Sequence, residues 1–260
     1  MAVEARAGKP RARPQTGGRG VEFEPIQQLR AHEYVAEQVR RHIALRLISP
    51  GESLPSERDL ASIFGVGRPT IQHALRLLEA DGLIVARRGR RGGTFVAEPA
   101  ENSLAMDELM ARVLRRRSEI EEVLGYRQAI EPAVAGTAAE TRRASDLKAM
   151  WRAIDRMSSA ADDPEYMRHD TEFHLAIARS TRNRFMVEAI EDIRLRLNDV
   201  ISLLPESDSW HRHLSGEHHA IASAIEERDS DSSAQAMQVH VAASDQGLRA
   251  VLTAIRRRRF

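Results

Sequence analysis

From Pro25 onward, apolar residues recur at helical intervals. Ile26, Leu29, Val35, Val39, Ile43 and Leu47 lead up to a break at Ser49, Pro50 and Gly51, which predicts a first helix. In PSERDLASIFG, residues 55–65, Ser56 stands where an N-cap hydroxyl is needed and Asp59 follows three residues on as a capping-box partner. Leu60, Ile63 and Phe64 supply an apolar face and Gly65 ends this second helix. After the turn Gly65-Val66-Gly67 comes RPTIQHALRLLEADG, residues 68–82, with Pro69 suited to a first helical turn, Ile71, Leu75 and Leu78 facing inward, and Gly82 as the stop. Leu83 to Val85 and Thr94 to Val96 then read as two β-strands around the basic turn ARRGRRGG.

Two short helices joined by a tight turn and followed by a β-hairpin make a winged helix-turn-helix, whose second helix suits the major groove of DNA. Beyond residue 102 the period stays at 3.6. Segments near 103–116, 119–141, 145–160, 164–179, 183–204, 210–228 and 231–254 each carry an apolar stripe, with breaks such as Asp162-Asp163-Pro164 between them. The fold class is therefore mostly α: an N-terminal winged helix-turn-helix and a C-terminal all-α antiparallel bundle of six to seven helices.

Composition supports this division. Hydrophobic residues make up 42% of the chain but aromatic ones only 4%, which favours helices over a β-sandwich. Lys and Arg outnumber Asp and Glu by 16 to 11 in residues 1–99, whereas residues 100–260 hold 23 against 27. A basic head on a mildly acidic body suggests that the head meets a polyanion. Residues 1–24 are rich in Gly, Pro and Arg without any period, and are expected to be a disordered tail. The expected division is tail 1–24, DNA-binding head 25–98, helical domain 99–255 and basic tail 256–260. With no cysteine and no apolar run of membrane-spanning length, the reading is a cytoplasmic protein without membrane partners.

Polar residues interrupt the inner stripes of the second half. Asp170 and His174 share a face with Phe173, Ile177 and Thr181; His218 lies with Leu214, Ile221, Ala222 and Ile225; His240 lies with Ser233, Ala236, Ala243, Ser244 and Gly247. Arg127 and Glu131 lie with Ile120, Val123, Leu124, Ile130 and Val134. A buried carboxylate costs several kcal/mol unless paired, and a divalent cation is a common partner for one Asp and three imidazoles. Zn is the first choice, with Ni, Mn, Co or Fe compatible.

The run PGESLPSERDLASIFGVGRPTIQHALRLLEADGLIVARRGRRGGTFV resembles the DNA-binding domain of the GntR superfamily of bacterial transcription regulators over its whole length. That resemblance implies DNA contacts from Arg58, Arg68, Thr70, Gln72, Arg88 and Gly89. Arg68 at the helix start can take guanine O6 and N7, Thr70 suits a phosphate, and Gly89 lets the wing backbone approach the minor groove. Where the family usually shows Arg then Glu, this chain has Gln72 and His73, so its operator is expected to differ at the base Gln72 reads, with adenine favoured.

The order Arg127, Glu131, Asp170, His174, Asn183, Glu217, His218 and His240 is similar to the FCD ligand-binding domain of the FadR subfamily. The resemblance implies a metal held by Asp170, His174, His218 and His240, a small carboxylate effector held by Arg127 and Asn183, and a homodimer on a pseudo-palindromic double-stranded operator. It argues against a fatty-acyl ligand. The expected function is a transcription regulator, a repressor and not an enzyme, whose operator binding the effector modulates. The alternatives are a metal-dependent hydrolase fused to a DNA-binding head, with Glu131 or Glu217 as base, and a regulator whose metal is purely structural.

Overall fold

A computed structural model describes residues 30–89, 92–98, 103–201, 203 and 208–258; for 103–106, 208–215 and 258 it describes the backbone alone. Arg90, Arg91 and the tail at residues 1–24 lie outside the described residues. Among the described residues there are ten helices and one two-stranded sheet. The head comprises α1 (Ala31–Ala44), α2 (Glu57–Phe64), α3 (Arg68–Ala80), β1 (Ile84–Arg87) and β2 (Gly93–Val96). Seven helices follow: α4 (Ser103–Arg115), α5 (Arg117–Thr141), α6 (Ala144–Ser158), α7 (Asp163–Ser180), α8 (Arg184–Ile201), α9 (Asp208–Glu227) and α10 (Ser230–Arg258).

The head forms as its capping chemistry dictates. The Ser56 hydroxyl accepts from the Asp59 N–H at 3.2 Å, and Gly65 takes the left-handed conformation at φ 64° that ends α2. Val35, Val39, Leu60, Ile71, Leu75 and Leu78 bury against Ile84 and Val96 of the hairpin. The hairpin is antiparallel, pairing Ile84 with Val96 and Arg87 with Gly93, and Ser53 bridges to Phe95 on the other edge. One expected core residue is elsewhere: Ile63 is 67% exposed, because Leu60 and Phe64 already fill the inner side of this two-turn helix.

The helical domain surrounds one core that includes Ile120, Leu124, Met150, Phe173, Leu197, Ile221, Ile225 and Leu248. α5 and α10 approach closely where Gly136 meets Ser230; a Cβ on Gly136 would lie 3.0 Å from Ser230 Oγ. The end of α1 meets this domain as well. Leu45 is buried in its core, Asn198 Nδ2 donates to the Ala44 carbonyl at 2.6 Å, and ion pairs join Arg41 to Glu191 at 2.7 Å and Arg168 to Glu52 at 2.9 Å. α10 runs through Arg258, so the expected basic tail from 256 is helical for its first three residues. Arginine is a good helix former, and its charge is favourable at a helix C-terminus. No helix among the described residues is long and apolar enough to cross a membrane.

Two helix ends cap each other. Arg142, just after α5, donates to the Ile225 and Glu226 carbonyls at the end of α9. Arg228, just after α9, donates to the Glu140 carbonyl at 3.0 Å and the Arg142 carbonyl at 3.1 Å. Each guanidinium thus satisfies orphan carbonyls of the opposite helix and opposes its dipole. Arg228 does this from a left-handed backbone, φ 61°, that costs a non-glycine residue energy. Arg228→Ala should therefore lower unfolding stability by roughly 1–2 kcal/mol. Arg228→Gly should lose less, because glycine relieves the backbone; urea denaturation of both variants measures the difference.

Candidate metal centre and nucleic-acid interface

The four residues expected to hold a metal converge. Asp170 and His174 come from α7, His218 from α9 and His240 from α10; all four are buried, with one ligand atom from each lying within 4.8 Å of the others. The i, i+4 spacing on α7 supplies the first pair, and antiparallel packing brings the two later helices alongside. Asp170 Oδ1 is 3.1 Å from His218 Nε2 and 3.7 Å from His174 Nε2. Ring centroids are 5.2 Å apart for His174 and His240 and 4.5 Å for His218 and His240.

Outer partners stand behind His174, His240 and Asp170. Glu131 Oε2 lies 2.5 Å from His174 Nδ1, and Glu217 Oε2 lies 3.0 Å from His240 Nδ1. A carboxylate on Nδ1 draws the ring proton there and leaves Nε2 as a lone pair facing the centre. Arg194 donates to Asp170 Oδ2 at 2.5 Å and to Thr171 Oγ1 at 2.8 Å, which leaves Oδ1 turned toward His218 and His174. Arg127 in turn donates to Glu131 at 2.6 Å, to Ser244 at 2.8 Å and to Asp245 at 3.1 Å.

What is left unsatisfied matches a cation. Both ring nitrogens of His174 and of His218, together with Glu131 Oε2, are buried without a hydrogen bond in good geometry, although buried polar atoms nearly always have one. Two imidazoles without well-formed hydrogen bonds, a third oriented by Glu217, and Asp170 Oδ1 beside them form a donor set suited to a divalent transition ion.

The electrostatics follow from burial and from the two arginines. Burial opposes ionisation of Asp170, but Arg194 and the neighbouring imidazoles outweigh it and hold the carboxyl well below its usual range. The same contest at Glu131 is won by His174 and Arg127, again downward. Burial lowers His218, and at His240 burial together with the charges of His218 and His174 pushes the pKa well below 6.5. Burial also disfavours the charged form of His174, but Glu131 and Asp170 raise it.

Of the two expected effector residues, only Arg127 points inward; it is 2% exposed. Asn183 is exposed at the turn into α8, where its Oδ1 accepts from the Phe185 N–H at 3.0 Å. Its side chain caps a helix and is not among the groups at the centre. Arg194 is not among the expected site residues, although it lies on an apolar stripe with Ile190, Ile193, Leu197 and Ile201, the same signal that Arg127 carries.

In the head, Arg58, Arg68, Gln72, Arg88 and Gly89 are exposed and Thr70 is half-buried. Arg68 and Gln72 lie on the open face of α3, and Gly89 turns the wing at φ 110°. His73, beside Gln72, stacks on His32 of α1 with centroids 3.9 Å apart.

The pH response of the metal-free protein follows in sign. His218 and His240 bind protons less readily folded than unfolded, so the stability from keeping them neutral is complete above pH 6.5 and is lost as pH falls. His174 acts oppositely, its contribution being full below 6.5 and fading as pH rises through its raised value. The melting temperature of chelator-treated protein should therefore drop between about pH 7 and pH 5, and His240→Gln should flatten that slope. An unchanged slope in thermal denaturation followed by circular dichroism would count against this electrostatic assignment.

Comparison with known proteins agrees with this layout. Residues 31–96 match bacterial regulatory proteins of the gntR family, and residues 122–243 match the FCD domain. The chain is 30% identical to the HTH-type transcriptional repressor NanR of Cronobacter sakazakii over 86% of this chain and 87% of that protein. It is 29% identical to the Salmonella schwarzengrund protein of that name over 88% of each chain, and 27% identical to that of Citrobacter rodentium over 88% and 89%. The two family matches fall on the DNA-binding head and the helical body in turn, and this protein belongs to the GntR family of bacterial regulatory proteins, as a DNA-binding transcription regulator with an FCD domain and not an enzyme.

Proposed function

We propose that this regulator is a homodimeric, cytoplasmic repressor that binds a pseudo-palindromic operator and is controlled by a divalent metal and a small carboxylate in its helical domain. The observation that carries the reading is the set of buried imidazole nitrogens without hydrogen bonds around Asp170. Asp170, His174, His218 and His240 would hold the ion, Zn foremost, with Ni, Mn, Co or Fe able to replace it. Once bound, it would offer open coordination positions to a carboxylate and a neighbouring oxygen. Arg127 is the second clamp for that carboxylate, because a guanidinium grips carboxylates with two parallel hydrogen bonds. Its contact with Asp245, a group whose charge burial disfavours, is the one a stronger anion would displace.

In the head, Arg68 and Gln72 read base edges, Thr70 and Arg58 meet phosphates, and Arg88 with Gly89 enters the minor groove. The repressor assignment follows the relatives, which are named transcriptional repressors. The effector's differential binding sets the change in operator affinity, roughly 5- to 150-fold for a typical coupling.

Metal content of the purified protein after chelation and reloading tests the first half. His174→Ala should lose the metal and the response to carboxylates while the head still binds DNA. Glu131→Gln and Glu217→Gln should weaken metal affinity by roughly 10- to 100-fold each, since they remove only the groups that orient the ligands. A wild-type protein that reloads no metal, or whose operator affinity no small carboxylate changes, would sink the reading.

A further inference from the structure

Glu57 is the first residue of α2 and faces α3 across the helix-turn-helix. Its Oε2 accepts from Gln72 Nε2 at 2.9 Å and lies 3.5 Å from an Arg68 guanidinium nitrogen. One carboxylate therefore touches both residues to which the proposed function assigns base reading. All three side chains remain at least a third exposed, on the surface that a DNA duplex must approach. A negative charge there opposes phosphate, so its presence calls for a compensating role.

We propose that Glu57 is a specificity-determining residue of operator recognition, acting as a positioning residue that sets which way round the Gln72 amide faces the base. This rests on the assignment of Gln72 as a base contact. With one Nε2–H given to Glu57, the amide keeps a second N–H and its Oε1, the donor and acceptor pair that matches adenine N7 and N6. A flipped amide would set Oε1 against Glu57 Oε2, acceptor on acceptor, and would reverse the order of donor and acceptor presented to DNA. Glu57 excludes that flip. Arg68 partly neutralises the carboxylate and is itself held near the helix start, where it meets the neighbouring base pair.

The consequence is a pair of effects of opposite sign. Without Glu57 the head should bind unrelated DNA more tightly, because a repelling charge is gone, yet discriminate less at one base pair. A residue that merely supported α2 would lower binding to all DNA together.

The test uses the full chain. Sites selected by the wild type from random duplexes define the preferred sequence, and affinities are then measured for that site and for single-base-pair changes. Gln72→Ala should lose about 5- to 150-fold of discrimination at one base pair, the range of a good bidentate contact. Glu57→Ala should lose most of the same preference at the same base pair while gaining affinity for unrelated DNA. Glu57→Gln, which loses the charge and whose amide can also donate to a flipped Gln72, should recover at most part of the base preference and retain the raised non-specific affinity. The double variant should lose no more discrimination than Gln72→Ala alone, because both act through one contact. If Gln72→Ala relaxes the site and Glu57→Ala leaves it sharp, or if the two losses add, the positioning role is overturned and the base contact stands. If Gln72→Ala leaves every base preference intact, the base contact itself is wrong.

Discussion

The structure turns on how a helical core accommodates ionised groups that water no longer solvates. Asp170, Glu131, Arg127 and Arg194 are all at least nine-tenths buried, and isolated charges in such a place would cost several kcal/mol each. They survive because each is bound to another. Arg194 holds Asp170, Arg127 holds Glu131, and Glu131 holds His174. The two guanidinium groups face Asp170, Glu131 and Asp245, a third buried carboxyl whose charge burial disfavours, and the imidazoles of His174, His218 and His240 converge between them. Five helices supply the ligands and their partners, and the apolar core around Phe173 and Ile221 keeps water from competing.

The same helices also carry the head. Asp170 and Arg168 are two residues apart on α7, the first in the centre and the second paired with Glu52 of the head. On α8, Arg194 grips Asp170 while Glu191 and Asn198, one turn to either side, hold Arg41 and the Ala44 carbonyl. Two rigid helices thus join the buried cluster to the DNA-binding head with no loop between. Densely packed cores deform poorly, so a change in the spacing of α7 and α8 is passed on rather than absorbed.

In the head, local and tertiary rules agree closely. Ser56 caps α2, Gly65 and Gly82 take positive φ where helices stop, and Gly89 turns the wing, each as the side chain or its absence requires. That consistency leaves Arg68 and Gln72 on the exposed face of α3, with Glu57 of α2 as their shared partner. Ile63 is the exception, an aliphatic side chain left exposed by a helix too short to bury three apolar residues on one side.

Much was determined by the sequence itself. Helical period located the seven helices of the second domain to within a few residues, because a stripe recurring every 3.6 residues has few other uses. The same stripes exposed Asp170, His174, His218, His240 and Arg127 as polar groups bound for a core. What the chain order could not supply was distance between elements. That Glu131 serves His174 rather than only its helical neighbour Arg127, that Glu217 orients His240 while His218 beside it faces the centre, and that Arg194 is the partner of Asp170 all depend on how α5, α7, α8, α9 and α10 pack. Asn183 shows the converse: it belongs to the motif by sequence, but its place at the end of a turn gives its side chain to a helix cap. Periodicity fixes the face on which a side chain sits, whereas only packing between helices decides what stands opposite that face.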